Sequence, residues 1–194
     1  MDKCAKCRRF GTKLFLKGDR CLTPKCALTR RNYRPGVHGQ RPNTRKSEYG
    51  FQLLEKQKAK AEYGLRERQF ANMFVKASKS RKNTGEELLR LLELRLDNVV
   101  YRLGWAVSRR EARQLVDHRK ILVNNKILNI PSATLKPKDQ ISPRKIEMIK
   151  PSKISLPKWL KLEGKEKAEI IHEPLRAEID TDLDEQKILE FYSR

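Results

Sequence analysis

Four cysteines, all within the first 26 residues, are the side chains whose type and spacing best suit them to chemistry. They fall as Cys4-x-x-Cys7 and Cys21-x-x-x-x-Cys26, with a spacer of about a dozen residues between the pairs. Each close pair can set two thiolates on one ion, and the spacer lets the chain return with the second pair. The expected result is a tetrahedral Zn²⁺ site with four sulfur ligands. Lys3, Lys6, Arg8, Arg9, Arg20 and Lys25 surround the pairs and favour thiolate over thiol. Two disulfides, an iron–sulfur cluster and free buried cysteines are the alternatives; disulfides suit secreted chains, and no signal-peptide apolar core is evident. Four sulfur ligands would close the coordination shell and leave no place for a reacting water, so the expected ion is structural.

The other reactive residue types do not assemble by spacing. No Ser/His/Asp arrangement, phosphate-cradling Gly-rich loop or carboxylate–His metal cluster stands in the chain, so no catalytic residue is expected and the protein reads as a non-enzyme. What remains is charge: 45 Lys and Arg against 24 Asp and Glu, a formal net charge of +21. Such an excess repels itself in a compact fold, and nucleic acid is the commonest partner that relieves it. A membrane is the rival polyanion, but no apolar run reaches the roughly 18 residues of a span and no lipidation motif is present.

The surplus is uneven. Residues 1–82 hold 23 Lys/Arg and 6 Asp/Glu, net +17, whereas residues 83–194 hold 22 and 18, net +4. The N-terminal part is therefore the main electrostatic anchor, with Arg8, Arg9, Lys13, Lys17, Arg30, Arg31, Arg66 and Arg68 as candidate RNA-binding residues. His38 joins them from Pro35-Gly-Val-His-Gly39, a Gly-permitted tight turn that can lie against an RNA backbone or form a plain surface loop.

Periodicity and capping signals supply the frame. Ser47 is a candidate N-cap, strong helix formers run from Gln52 to Tyr63, and Gly64 can stop them. Leu65 to Ser78 places Phe70, Met73, Phe74 and Ala77 on one face, and the polar run 78–84 reads as a linker. Thr84-x-x-Glu87 reads as a capping box opening one helix with the stripe Leu88, Leu92, Leu96, Val99 and Leu103, ended by Gly104. Ser108-x-x-Glu111 opens a second, running to about Asp117 with Ala112, Leu115 and Val116 inward. Short strands are expected at 121–123 and 126–128 around an Asn124-Asn125 turn, with further β-like pieces at 133–135 and 140–142. Arg109, Arg110, Arg113 and Gln114 lie outside the apolar stripe of the second helix, and His118, Lys120, Asn124 and Lys126 follow. Helix start, Arg cluster and hairpin converge on one edge suited to RNA phosphates. Residues 143–168 read as a basic, loop-rich crossing that packs Trp159 and Leu160; near the C-terminus Thr181-x-x-Asp184 precedes an Ile188, Leu189, Phe191, Tyr192 helix face.

The text Arg95-Leu-Asp-Asn-Val-Val-Tyr-Arg-Leu-Gly104, Ser108-Arg-Arg-Glu-Ala-Arg-Gln-Leu-Val116 and Leu128-Asn-Ile-Pro-Ser132 resembles the small-subunit ribosomal protein family called S-four, in its bacterial zinc-carrying form. Upstream, Leu14-Phe-Leu-Lys-Gly18, Pro35 to Gly39, Leu54-Glu-Lys-Gln-Lys58, Glu67-Arg-Gln-Phe70 and Asn83-Thr-Gly-Glu86 look like its N-terminal half. Pro157-Lys-Trp-Leu160 and Phe191-Tyr-Ser-Arg194 look like its end. The helix–helix–hairpin unit alone is shared with pseudouridine synthases and some aminoacyl-tRNA synthetases; the flanking matches select the ribosomal family.

The resemblance implies an α+β, predominantly helical fold. It comprises a zinc-binding N-terminal arm (1–45), a helical domain (46–88) completed by 151–194, and an inserted two-helix plus small β-sheet RNA-binding module (89–150). It further implies a structural constituent of the small ribosomal subunit that binds the 5′ domain of 16S-type ribosomal RNA early in assembly and contributes to fidelity. Expected neighbours are S-five, S-three and messenger RNA at its entry channel, where Arg41, Arg45 and Lys46 are the candidates. A ribosome in a bacterial cytoplasm is expected, with no membrane contact and no homo-oligomer. Two positions depart from the family pattern: Lys138 and Asn125 stand where Gly is expected or frequent.

Overall fold

Capping and stop residues delimit most of the helices. A computed structural model describes residues 2–41, 45–145, 155–164 and 166–193. Its helices are α1 (Lys3–Phe10), α2 (Ala27–Arg30), α3 (Glu48–Glu62), α4 (Glu67–Ser78), α5 (Thr84–Glu93), α6 (Leu96–Arg102), α7 (Arg109–Asp117) and α8 (Glu185–Tyr192). The strands are β1 (Ile121–Val123), β2 (Lys126–Ile127), β3 (Gln140–Pro143), β4 (Leu160–Glu163) and β5 (Lys167–Ile170), with a 3₁₀ turn at Gly18–Cys21. Among the described residues the fold is thus mixed α/β, with eight α-helices and one five-stranded antiparallel sheet. The chain divides into two compact units, Met1–Ala71 with Asp182–Arg194, and Asn72–Thr181.

The first unit is organised by α3 and the C-terminal α8 packed on it. Ser47 caps α3, its hydroxyl accepting from the Gly50 N–H at 3.2 Å. Gly64, at φ 67°, ends it while the Leu65 N–H reaches back to the Lys60 carbonyl at 2.9 Å. Asp184, rather than Thr181, caps α8, accepting from the Lys187 N–H. The buried Lys58 donates to the Asp182 carbonyl at 2.7 Å, and Gln52 to Glu190 at 3.0 Å. Lys56, also buried, has its ammonium 2.5 Å from Glu67 and 4.1 Å from the centre of the Phe191 ring.

In the second unit the single helix expected from Thr84 to Gly104 is two. Arg95 is extended (φ −68°, ψ 137°) and bridges Thr134. Backbone N–H groups of Leu96, Asp97 and Leu135 pair with the carbonyls of Ala133, Pro131 and Leu94. The segment 133–135, expected as a β-like piece, thus contributes one bridge, and residues 131–135 take up the backbone groups left open between α5 and α6. Every residue from Leu91 to Ala106 is buried, so these turns have no solvent face to keep one helix straight. The α5 cap is Asn83, accepting from the Gly85 N–H at 3.0 Å, while Glu87 of the supposed capping box pairs with Arg90 instead.

The sheet order is β2-β1-β3-β5-β4. The expected crossing at 143–168 contains a hairpin: β5 pairs with β3 (Ile141 opposite Ala168) and β4 with β5. Trp159, Leu160, Ala168 and Ile170 enter the same core as Leu96, Val99, Val116 and Ile141. Residues 155–181 therefore belong with the module rather than completing the helical domain, and the boundary near residue 88 falls instead inside α4. Residues 146–154 of the expected crossing lie outside the described residues. Lys138 adopts φ 72°, the left-handed geometry that Gly would hold at less strain, and its N–H donates to the Ile170 carbonyl at 2.7 Å.

Glu93, 1% exposed, joins α5 to α6 by accepting from Arg102 at 2.8 and 2.9 Å and from Asn98 at 2.8 Å. Glu93→Ala would leave the Arg102 guanidinium buried without its carboxylate. Urea unfolding should show a loss of about 3–5 kcal/mol, as for other broken buried pairs.

Candidate nucleic-acid interface

In the second unit, α7 and the β1–β2 hairpin carry the candidate surface. Ala112, Leu115 and Val116 bury one face of α7, which leaves Arg110 and Gln114 exposed and Arg113 half-buried. The Ser108 hydroxyl accepts from the Glu111 N–H at 3.3 Å, and the Glu111 carboxylate accepts from the Val107 N–H at 3.1 Å, one residue earlier than a reciprocal box would have it. At the other end Arg119 takes φ 57° while the Lys120 N–H returns to the Leu115 carbonyl at 3.0 Å. This reversal presents His118 exposed and Lys120 half-buried beside the hairpin. Asn124 and Asn125 both take positive φ, 50° and 63°, as a tight primed turn requires, and Lys126 follows exposed.

Arg109, Asn124 and Arg8, like Lys17 below, are engaged inside the protein. Arg109 donates to the Asn98 side-chain oxygen at 2.8 Å and lies 4.6 Å over the Tyr101 ring. The Asn124 amide donates to Asp139 at 2.8 Å and accepts from the Gln140 N–H at 2.9 Å, so it ties the turn to β3. Arg8 donates to the Tyr33 and Arg34 carbonyls at 2.9 and 3.1 Å. Arg113 stands 3.9 Å from both Asp97 and Asp117, with its side chain 38% exposed and open to other anions. In the first unit Arg9, Lys13, Arg30, Arg31, His38, Arg66, Arg68, Arg41 and Arg45 are exposed, and Lys17 and Lys46 half-buried. Lys46 sits 5.3 Å from the centre of the Phe51 ring. The buried ion pair of Arg95 with Asp97, at 2.7 Å, escaped the sequence reading; the two-residue spacing Arg-x-Asp is its only local signal.

The four cysteines are unbridged and line one cavity of about 20 Å³ between α1, the 3₁₀ turn and α2. Burial pushes the Cys7 and Cys21 thiols up, and each also feels the charge of its neighbouring cysteines. Backbone N–H groups nonetheless aim at the sulfurs: Leu14 at Cys7, Lys17 at Cys21, and Leu28 and Thr29 at Cys26. At Cys26 burial opposes ionisation, but these N–H groups and the Thr29 hydroxyl outweigh it and hold the thiol below its ordinary value. The Lys17 ammonium is hydrogen-bonded to the Cys4 sulfur and lies 3.4 Å from Asp2, which raises its own pKa. Among the described residues, however, no group of three or more His, Cys, Asp or Glu side chains is drawn into ligating range of one another. The thiols share a cavity without forming a closed coordination shell.

Among the described residues no helix is long and apolar enough to cross a membrane. Residues 94–141, from α6 through the hairpin into β3, match the family model described as the S4 domain, so the fold and its basic edge place the chain in the S4-domain class. Residues 1–93 match the model described as the ribosomal protein S4/S9 N-terminal domain. The small ribosomal subunit protein uS4 of Dictyoglomus turgidum is 51% identical over 98% of this chain and 96% of its own length. That of Thermus thermophilus is 48% identical, and uS4A of Clostridium acetobutylicum 49%, over the same shares. The chain belongs to the uS4 family of small-subunit ribosomal proteins.

Exposed and engaged cations should separate in salt titrations of RNA binding. Arg110→Ala and Lys126→Ala should each lower the slope of log affinity against log salt by about 1, if each neutralises one phosphate. Arg109→Ala should lower the melting temperature and leave that slope in place.

Proposed function

We propose that this chain is a structural, non-enzymatic constituent of the small subunit of a bacterial ribosome, working in the cytoplasm, where it grips the 5′ domain of 16S-type ribosomal RNA early in assembly. The observation that carries this reading is the α7–hairpin edge. Arg110, Gln114, His118 and Lys126 stand exposed there on a frame whose buried charges are already paired, in a chain related end to end to uS4 proteins. Fixed cations and amides at a helix start position a phosphate backbone without reading sequence, so recognition would rest on the folded shape of the RNA. S-five and S-three are the proposed protein neighbours, and a contribution to decoding fidelity would act through the first of them. Arg41 and Arg45, both exposed, are the stronger candidates for messenger RNA at its entry; Lys46 has its ammonium against Phe51. Neither a membrane nor a second copy of the chain enters this reading.

The same reading assigns one structural Zn²⁺ to Cys4, Cys7, Cys21 and Cys26. Its support is the donor set: four unbridged sulfurs around one cavity, with backbone N–H groups directed at three of them as in metal–thiolate outer shells. When bound, the ion would cross-link α1, the 3₁₀ turn and α2, a segment with few apolar side chains to hold it otherwise.

Competition binding at near-physiological salt tests the RNA reading. The full chain should prefer a 5′-domain transcript of 16S-type RNA over an unrelated transcript of equal length, and equal affinity for both overturns it. Metal analysis after purification in zinc-containing medium should give about one Zn²⁺ per chain. Cys21→Ser should lose the ion and speed amide exchange across residues 3–30. A metal-free wild-type chain with a protected arm would remove the zinc site.

A further inference from the structure

We infer that Arg8 is a positioning residue for the anion-binding loop at residues 33–41 rather than a phosphate ligand; the role in binding rests on the RNA reading above. Arg8 lies on α1, and its guanidinium makes three contacts with one short stretch. Nε donates to the Tyr33 carbonyl at 2.9 Å, Nη2 to the Arg34 carbonyl at 3.1 Å, and Cζ lies over the Tyr33 ring, 4.6 Å from its centre. Two carbonyls take separate arms of the fork while the cation lies over an aromatic ring, a combination that a lysine ammonium cannot reproduce.

The chain of contact continues beyond Arg34. A Cβ built on Gly39 would lie 1.8 Å from the Arg34 carbonyl oxygen, so the Gly39 backbone presses directly on the group that Arg8 holds. Two turns then close on that support: the Gly39 N–H donates to the Gly36 carbonyl at 3.0 Å and the Arg41 N–H to the His38 carbonyl at 3.1 Å. Gly36 takes φ 102°, which favours glycine there as well. His38 and Arg41 project exposed from this double turn. Shifting the Arg34 carbonyl shifts Gly39, and with it the two cationic or polar side chains offered to a polyanion. Arg8 thus acts through the loop it shapes.

Charge and shape can be separated with the full chain carrying Arg8→Lys, Arg8→Ala, Arg41→Ala, or Arg41→Ala combined with Arg8→Lys. Binding to a single-stranded RNA, standing for the messenger proposed at Arg41, is titrated against salt, and amide exchange is followed at Gly39. Arg8→Lys keeps the charge, yet it should behave like Arg8→Ala, with Gly39 protection lost in both and the salt slope reduced by about 1 as the Arg41 contact slackens. Arg8→Lys added to Arg41→Ala should then cost less affinity than Arg8→Lys alone, since only His38 remains to be displaced. Wild-type affinity and slope in Arg8→Lys, additive losses in the double variant, or retained Gly39 protection in either Arg8 variant would each overturn the proposal. If the wild-type chain itself shows no RNA preference, the binding role fails with the functional reading, and the exchange data alone decide whether Arg8 shapes the loop.

Discussion

A chain with a net charge of +21 can fold only if the cations that turn inward meet an acceptor there, and this constraint organises both units. In the second unit, Glu93 takes both arms of Arg102, and Asp97 takes Arg95. Asn98 receives no charge itself but links Glu93 to Arg109, so one buried carboxylate orients side chains on α6 and at the start of α7. In the first unit, Glu67 holds Lys56 at 2.5 Å and Lys60 at 2.7 Å, and the Phe191 ring covers the Lys56 ammonium. The buried pairs Arg95–Asp97 and Arg102–Glu93 contribute little net stability, because desolvation offsets most of the attraction; losing one partner is what costs. Their effect here is geometric: they fix which cations face inward and leave the others on the surface.

This sorting explains what could and could not be read from the chain. Ser47, Ser108, Gly64 and the Asn124-Asn125 turn were legible because each acts through backbone groups within a few residues. The break between α5 and α6 was not, because its cause is a segment almost forty residues further on that offers backbone partners to Leu94, Leu96 and Asp97. The β4–β5 hairpin was hidden by lysines and prolines, although Lys167-Ala-Glu-Ile170 alternates polar and apolar and Gly164 takes φ 70° before it. For the site, composition marked the right neighbourhoods but could not tell Arg109 from Arg110. Adjacent on one helix, they differ in facing Asn98 and Tyr101 or facing water, a distinction made by tertiary packing.

The thiol cluster shows the same limit at a smaller scale. Spacing suffices to bring four sulfurs around one cavity, and the chain between and just after them supplies N–H donors from Leu14, Lys17, Leu28 and Thr29. At Cys26 those donors outweigh burial and favour negative sulfur, whereas at Cys7 and Cys21 burial prevails, so the arm is biased unevenly before any partner arrives.

The docking of α8 on α3 has a consequence for the order of events during synthesis. Gln52 meets Glu190 across 138 residues of sequence and Lys58 meets Asp182 across 124, so the first unit is closed by a segment made only after residues 72–181. Residues 72–181 all emerge earlier and contain the whole sheet and its core. Translation therefore delivers the middle of the chain in a foldable state first, while the buried face of α3 stays uncovered until α8 has been made.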